Sequence, residues 1–407
     1  MKNSLRICYV YQDQYPWEVR VKKITEALAE RGAEVHIVSR NKDCLPELEA
    51  SVQRITIHRL SGSGNSIIRI LKNFPAFFSP FWIKKIVDVV RQNKIDLIII
   101  RDLPLSPAAY IAGKITGKPV IMDMAENYPA LIRSTWDYRG PSFVDLFIRN
   151  PYFLRLMEKF VVPRLDGVLV VSKQSAERVE KLSPGDDQIW VVGNTPILNE
   201  ENGQTIYSEL ADKISSKSSF ILLYTGMIEA HRGIDVPVRA LAKLSISIPG
   251  IKLVIVGEGT YESKLKNIIK EMNLEDSVFF TGWVPNKYLN SIIKISDIGL
   301  IPHYVSEHID TTLPNKIYDY MAEAKPVLVT QSRSLSAIIQ AEKCGLIYND
   351  HSPDDLVEKV LKLYDEGTRK RLGENGKQAV LKRLNWETDK KHLWEAINSV
   401  LDSKKLS

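Results

Sequence analysis

The chain has 407 residues, 44% of them hydrophobic and 26% charged, with a formal charge of +6; that length exceeds one compact core and suits two domains of about 200 residues each. No apolar run approaches the ~18–20 residues of a bilayer-spanning helix, and no signal-peptide pattern precedes the first strand-like run. Three scattered cysteines, Cys8, Cys44 and Cys344, lack disulfide or zinc spacing, so a reduced, cytoplasmic protein without a structural metal is expected.

In chain order, Leu5–Tyr11 reads as a buried strand and Val19–Arg31 as a helix with Val21, Ile24, Ala27 and Leu28 on one face, closed by Gly32. Further strands are predicted at Glu34–Ser39, Arg54–Leu60, Leu97–Ile100, Pro119–Asp123, Gly167–Val171 and Gln188–Val192. Most are continuous apolar runs, as in a parallel sheet covered on both faces. A polar stretch from Asn199 to Ser219 is the best linker. The pattern then restarts with strands Phe220–Tyr224, Lys252–Val256, Ser277–Phe280, Asp297–Ile301 and Pro326–Val329. Helices Ile234–Leu244, Glu262–Met272, Asn286–Ile295 and Pro314–Ala324 alternate with them, and Pro353–Leu401 is helical. The expected fold is α/β, with two Rossmann-like doubly wound parallel-sheet domains facing across a cleft. Their expected bounds are 1–198 and 199–384, with a C-terminal helix over 385–407 that could cross back to the first domain.

Ligands of open parallel sheets bind beyond the carboxyl ends of the strands. In the second half those positions carry Thr225–Gly233, Gly257-Glu258-Gly259, Thr281–Pro285, and a loop ending in Thr311-Thr312-Leu313-Pro314-Asn315-Lys316. Glycines admit close backbone approach, and helix N-termini attract phosphates. Gly226, Gly257, Glu258 and Gly259, with Thr311 to Asn315, are therefore candidate positions for binding a diphosphate ligand. Pro314 suits a first helical turn. Lys316 and Arg232 supply positive charge for a diphosphate, and Asp319, one turn beyond Lys316, suits ribose hydroxyls. An ordinary strand-to-helix turn and a surface Lys–Asp pair are the plainer readings of the individual signals.

Taken together, the segments Gly226 with Arg232-Gly233, Val254–Gly259, Phe280–Pro285, Asp297–Pro302 and Leu313–Ala322 resemble the donor domain of the family-four glycosyltransferases, of GT-B architecture. The resemblance implies a retaining, metal-independent transfer of a hexosyl or N-acetylhexosaminyl group from a UDP- or GDP-linked donor, with no cofactor. It also implies a glycan or lipid-linked acceptor, in lipopolysaccharide or capsule-type polysaccharide biosynthesis. Two departures stand out: Thr311 occupies the first of two glutamate positions, and Met227 replaces an arginine after Gly226. Lys316 and Arg232 are thereby left as the main diphosphate ligands.

The first half matches less closely. Where the family often has histidine, this chain has Arg101 and Ala125. Asp102 and Glu126 are the carboxylates at the strand ends that could orient an acceptor hydroxyl, or else cap helices and pair with neighbouring bases. Arg20 opens the first helix and could touch a phosphate, though a solvated helix residue is the plainer reading. The positive excess lies in residues 1–195, with 28 Lys+Arg against 21 Asp+Glu, the remainder having 27 against 28. Residues 67–94 interleave Phe74, Phe77, Phe78, Phe81 and Trp82 with six basic residues. That pattern fits either a core-facing aromatic stripe or peripheral contact with an anionic membrane at the inner face of the cytoplasmic membrane. Two alternatives share the architecture: a sugar-nucleotide 2-epimerase using His231, His303 and His308, and a non-catalytic sugar-nucleotide-binding protein. Nucleic-acid binding has only the mild basic charge in its favour.

Overall fold

The structure is a computed structural model that describes residues 4–16, 18–50, 54–62, 77–141, 149–182, 188–198 and 220–406, together with 72, 74, 146, 210 and 214. Most of the linker expected at Asn199–Ser219 lies outside the described residues, as do 67–71, 73, 75 and 76 of the aromatic–basic stretch. The chain divides into two compact units. The first comprises Met1–Arg133, Pro141–Asn194 and Asp389–Ser407; the second comprises Ser134–Gly140 and Thr195–Thr388.

The first unit holds an eight-stranded sheet of β1 (Arg6–Tyr11), β2 (Glu34–Ser39), β3 (Leu48–Ala50), β4 (Ile55–Arg59), β5 (Leu97–Arg101), β6 (Val120–Met124), β7 (Gly167–Val170) and β8 (Ile189–Val191). Their order is β3-β4-β2-β1-β5-β6-β7-β8. All neighbours are parallel except β3, which pairs antiparallel with β4 at the edge. The strand order reverses between β1 and β5, so the loops that follow these two strands flank the natural crevice.

The second unit holds a six-stranded parallel sheet of β9 (Phe220–Thr225), β10 (Ile251–Val256), β11 (Val278–Gly282), β12 (Ile298–Ile301), β13 (Val327–Thr330) and β14 (Gly345–Tyr348), in the order β11-β10-β9-β12-β13-β14. Its core lies on both faces. Phe220, Leu222 and Tyr224 of β9 enter one apolar cluster, whereas Ile221 and Leu223 enter the other. That is why the strand reads as an unbroken apolar run and not as an alternating one. The order reverses between β9 and β12, which puts the loops 226–233 and 302–315 on either side of a switch point.

Two expectations change here. The helix expected to begin at Pro314 begins at Lys316 and ends at Ala322, with Asn315 as its N-cap. Pro314 stands before the cap, its carbonyl accepting from Ile317 N–H at 3.1 Å, so it sets the entry to the helix and not its first turn. Trp82 of the aromatic stretch is fully buried in the helix Pro80–Gln92, and its indole N–H donates to Phe74 O at 3.1 Å. It is a core residue, while Phe78 and Phe81 remain exposed.

Candidate functional site

In the second unit the switch point gathers positive charge. Tyr224, the penultimate residue of β9, is fully buried, and its hydroxyl donates to Met227 O at 2.7 Å. The Lys316 ammonium lies 4.0 Å from the centroid of that ring, a cation–π seat. Gly226, with φ +124°, leaves the space: a Cβ there would meet Lys316 Nζ at 3.0 Å. Arg232 ends a single 3-10 turn, Ala230–Arg232, which Gly233 closes in the left-handed region. Its guanidinium donates to His303 Nε2.

The electrostatics are those of a site short of negative charge. Burial and the charge of Arg232 hold the Lys316 ammonium well below the usual lysine range, against the opposing charge of Asp319. No carboxylate among the described residues lies within ion-pair distance of Arg232 or Lys316. His231 and His308 are held down at about 4 by burial and Arg232, and His303 is lowered well below the usual range by burial, Arg232 and Lys316. The histidines that an epimerase would use are thus neutral rings packed around two cations.

Glycines of the neighbouring loops have a packing task beside the donor-binding role expected of them. A Cβ at Gly257 would meet Gly226 O at 2.1 Å, and one at Gly259 would meet Ile228 O at 2.1 Å. Gly226 N–H donates to Val256 O and Ile228 N–H to Glu258 O, at 2.8 and 2.9 Å. The missing side chains therefore admit a neighbouring loop's backbone, and the loops after β9 and β10 form one bonded rim. Glu258 extends it, its carboxylate accepting Trp283 N–H at 3.2 Å. Thr311 and Thr312 are buried and donate to the carbonyls of Glu307 and His308 at 3.0–3.1 Å. Their hydroxyls brace the approach to the helix. Leu313 and Pro314 are half-buried, Asn315 is exposed and Asp319 half-buried.

The first unit's switch point carries a buried ionic network. Arg20, expected to be solvated, is fully buried; it grips Asp123 Oδ1 through Nε and Nη2 at 2.9 and 2.7 Å, and donates to Gly193 O at 2.8 Å. Tyr9 donates to the other oxygen of Asp123 at 2.6 Å. A carboxylate in the middle of a buried strand must be paired, and that requirement was the signal for Arg20. Arg101, also buried, pairs with Asp102 at 3.0 Å and Glu18 at 3.5 Å, bridging the loops beyond β1 and β5. Asp102 has φ +57° and accepts the N–H groups of Ala125 and Glu126 at 3.0 and 3.3 Å. Burial pushes its carboxyl up to about 7 against the pull of Arg101, with Glu126 adding to the rise.

Comparison with known proteins agrees with this geometry. Residues 18–195 match the model "Glycosyltransferase Family 4" and residues 208–379 match "Glycosyl transferases group 1". The chain belongs to the family-four glycosyltransferases. Among curated relatives it is 21% identical over 279 residues to the alpha-D-kanosaminyltransferase of Streptomyces kanamyceticus, a match spanning 65% of this chain and 67% of that one. It is 22% identical over 197 residues to the lipopolysaccharide 1,2-N-acetylglucosaminetransferase of Salmonella typhimurium, spanning 46% and 50%. The sucrose-phosphate synthase of Thermosynechococcus elongatus superposes with a TM-score of 0.77 at 17% identity, covering 98% of this chain and all of that one. HepE of Anabaena, in complex with UDP, does so with 0.71 at 12% identity, covering 97% and 100%. These likenesses show the fold: two parallel-sheet Rossmann-like domains of the GT-B type.

Proposed function

We propose that this glycosyltransferase binds the diphosphate of a nucleotide sugar between Arg232 and Lys316 and transfers the sugar with retention, without a metal ion. The acceptor is a glycan or lipid-linked sugar in cell-surface polysaccharide assembly. The observation that carries the reading is the pair itself: two half-buried cations at one switch point, with no carboxylate among the described residues in ion-pair reach. Such a pair is costly without an anion and strongly favourable with one. UDP is the first donor nucleotide to test, since HepE is bound to it, and GDP the second.

In the reaction the bond from the anomeric carbon to the diphosphate oxygen breaks, and the acceptor oxygen bonds to that carbon on the same face. The acceptor proton passes to the departing diphosphate. Arg232 and Lys316 stabilise the charge that grows on this leaving group, and need not move to do so. Asp102, pinned by Arg101 and two backbone N–H groups, and Glu126 beside it orient the acceptor hydroxyl.

A lipid-linked acceptor is supported by an exposed apolar surface on the first unit. Tyr152 and Leu156, 71% and 59% exposed, share the helix Pro151–Val161 with Arg155 and Lys159. Phe153 of that helix meets Phe77 edge-on at 5.4 Å, which joins it to exposed Phe78 and Phe81. Aromatic and basic side chains together suit an anionic membrane surface. A thermal-shift screen of nucleotide sugars, followed by release of free nucleoside diphosphate with candidate acceptors, tests the assignment. Stabilisation by none of the donors would refute it.

A further inference from the structure

We propose that His303 is a positioning residue for the donor site. Its Nε2 accepts from the Arg232 guanidinium, and so turns that group's remaining N–H donors toward the diphosphate. The inference rests on the donor reading above and assigns a role to a residue which that reading leaves idle.

The contact is bracketed on both sides. Tyr304 N–H donates to His231 O at 3.2 Å, and a Cβ at Gly233 would meet Pro302 O at 2.1 Å. The residues before and after Arg232 are thus locked against those after and before His303. The His303 carbonyl accepts the Thr330 hydroxyl at 2.8 Å, which ties the same residue to β13. His303 is 2% exposed, so its ring lies in the packed interior beside Arg232.

The chemistry fixes the direction of the bond. Arginine has donors only, so Nε2 must carry the lone pair and Nδ1 the proton. A protonated ring could not accept, and would add a third charge to the cluster of Arg232, Lys316, His231 and His308. Burial and the charges of Arg232 and Lys316 keep the ring neutral, the form that the contact requires. Glu229 opposes the lowering of His231, while the strongest influences on His303 and His308 are burial and the charge of Arg232. A long cationic side chain without such an anchor would spread over several rotamers, and a diphosphate would have to order it on binding.

The test compares His303→Ala and His303→Gln with the wild-type chain, using UDP, GDP and inorganic pyrophosphate as calorimetric probes. His303→Ala should weaken the bound probe about tenfold or more, the loss expected for a hydrogen bond to a charged group. Gln, whose amide oxygen also accepts, should recover most of it. In parallel, the ring nitrogens of the unmodified protein should show a neutral, Nδ1-protonated His303 at pH 7, and its midpoint should rise in Arg232→Met. Wild-type affinity in His303→Ala, or a His303 already protonated at pH 7, overturns the positioning role while leaving the donor reading intact. Binding of no probe by the wild-type chain overturns both.

Discussion

Lys316 holds its ammonium 4.0 Å from the centroid of the Tyr224 ring, and it can do so because residue 226 has no side chain. The cation that opens the helix Lys316–Ala322 is thereby held against the end of β9, next to Arg232 and with no carboxylate among the described residues within ion-pair distance. Donor binding, on this account, is the completion of a charge balance that the folded protein leaves open.

Gly226→Ala tests that arrangement without touching a charge. The new Cβ would lie 3.0 Å from Lys316 Nζ, on a residue whose φ is +124°. The flexible end of the lysine can give way, but the backbone strain cannot, and costs about 1–3 kcal/mol. Chemical denaturation should show that loss, and calorimetry with UDP or GDP should show donor affinity falling about tenfold or more. Unchanged affinity would mean that the lysine does not need its place over Tyr224.

Arg20→Leu tests the buried network of the first unit. Removal of Arg20 strands Asp123, which is fully buried, at a cost of about 3–5 kcal/mol. Arg20→Leu combined with Asp123→Leu should recover part of it, because the pair is then replaced by apolar volume. Urea titration of the three proteins reads both numbers; equal stability of Arg20→Leu and wild type would contradict the network.

His36 and His58 form a buried pair on β2 and β4, with Nδ1 and Nε2 3.0 Å apart. Burial, His36 and Lys85 hold His58 near 4; burial and Arg6 lower His36, against Glu34. Since His58 binds its proton less readily folded than unfolded, its contribution is neutral above pH 6.5 and destabilising below. The loss is about 1.4 kcal/mol per pH unit down to about 4. Asp102, raised to about 7, runs the other way, stabilising at low pH and fading as pH rises toward 7. The comparison is therefore with His58→Asn, which should flatten the melting-temperature slope between pH 6.5 and 4.5; an unaltered slope would show that the pair does not titrate there.

For the apolar surface, sedimentation with phosphatidylglycerol vesicles at low salt should recover the wild-type chain and lose Tyr152→Glu/Leu156→Glu. Equal recovery of both, or of neither, contradicts membrane docking through that helix.

Much of the fold was legible because buried parallel strands write themselves as apolar runs, and β2 was expected at its observed bounds. What was missed has physical causes. β3 is a three-residue, wholly exposed edge strand, with no apolar pattern to read. β14 is a four-residue run whose Gly345 looks like a breaker. It is needed because a Cβ there would meet Val327 O at 1.9 Å. Arg20 and Asp123 lie 103 positions apart, so their pairing is invisible until the sheet brings them together. Lys316 and Arg232 could be singled out as candidates from residue type and spacing. That Gly257 and Gly259 lie against a neighbouring loop's backbone could not be read, because such close approach is a matter of tertiary packing.

The most direct test is calorimetric titration of UDP and GDP into the wild-type chain and Lys316→Ala, with melting temperature as the control for folding. The account predicts that wild type binds at least one of them, and that Lys316→Ala, folded, binds it about a hundredfold or more weakly, as for loss of a buried charged contact. Equal affinity in the two proteins would contradict it.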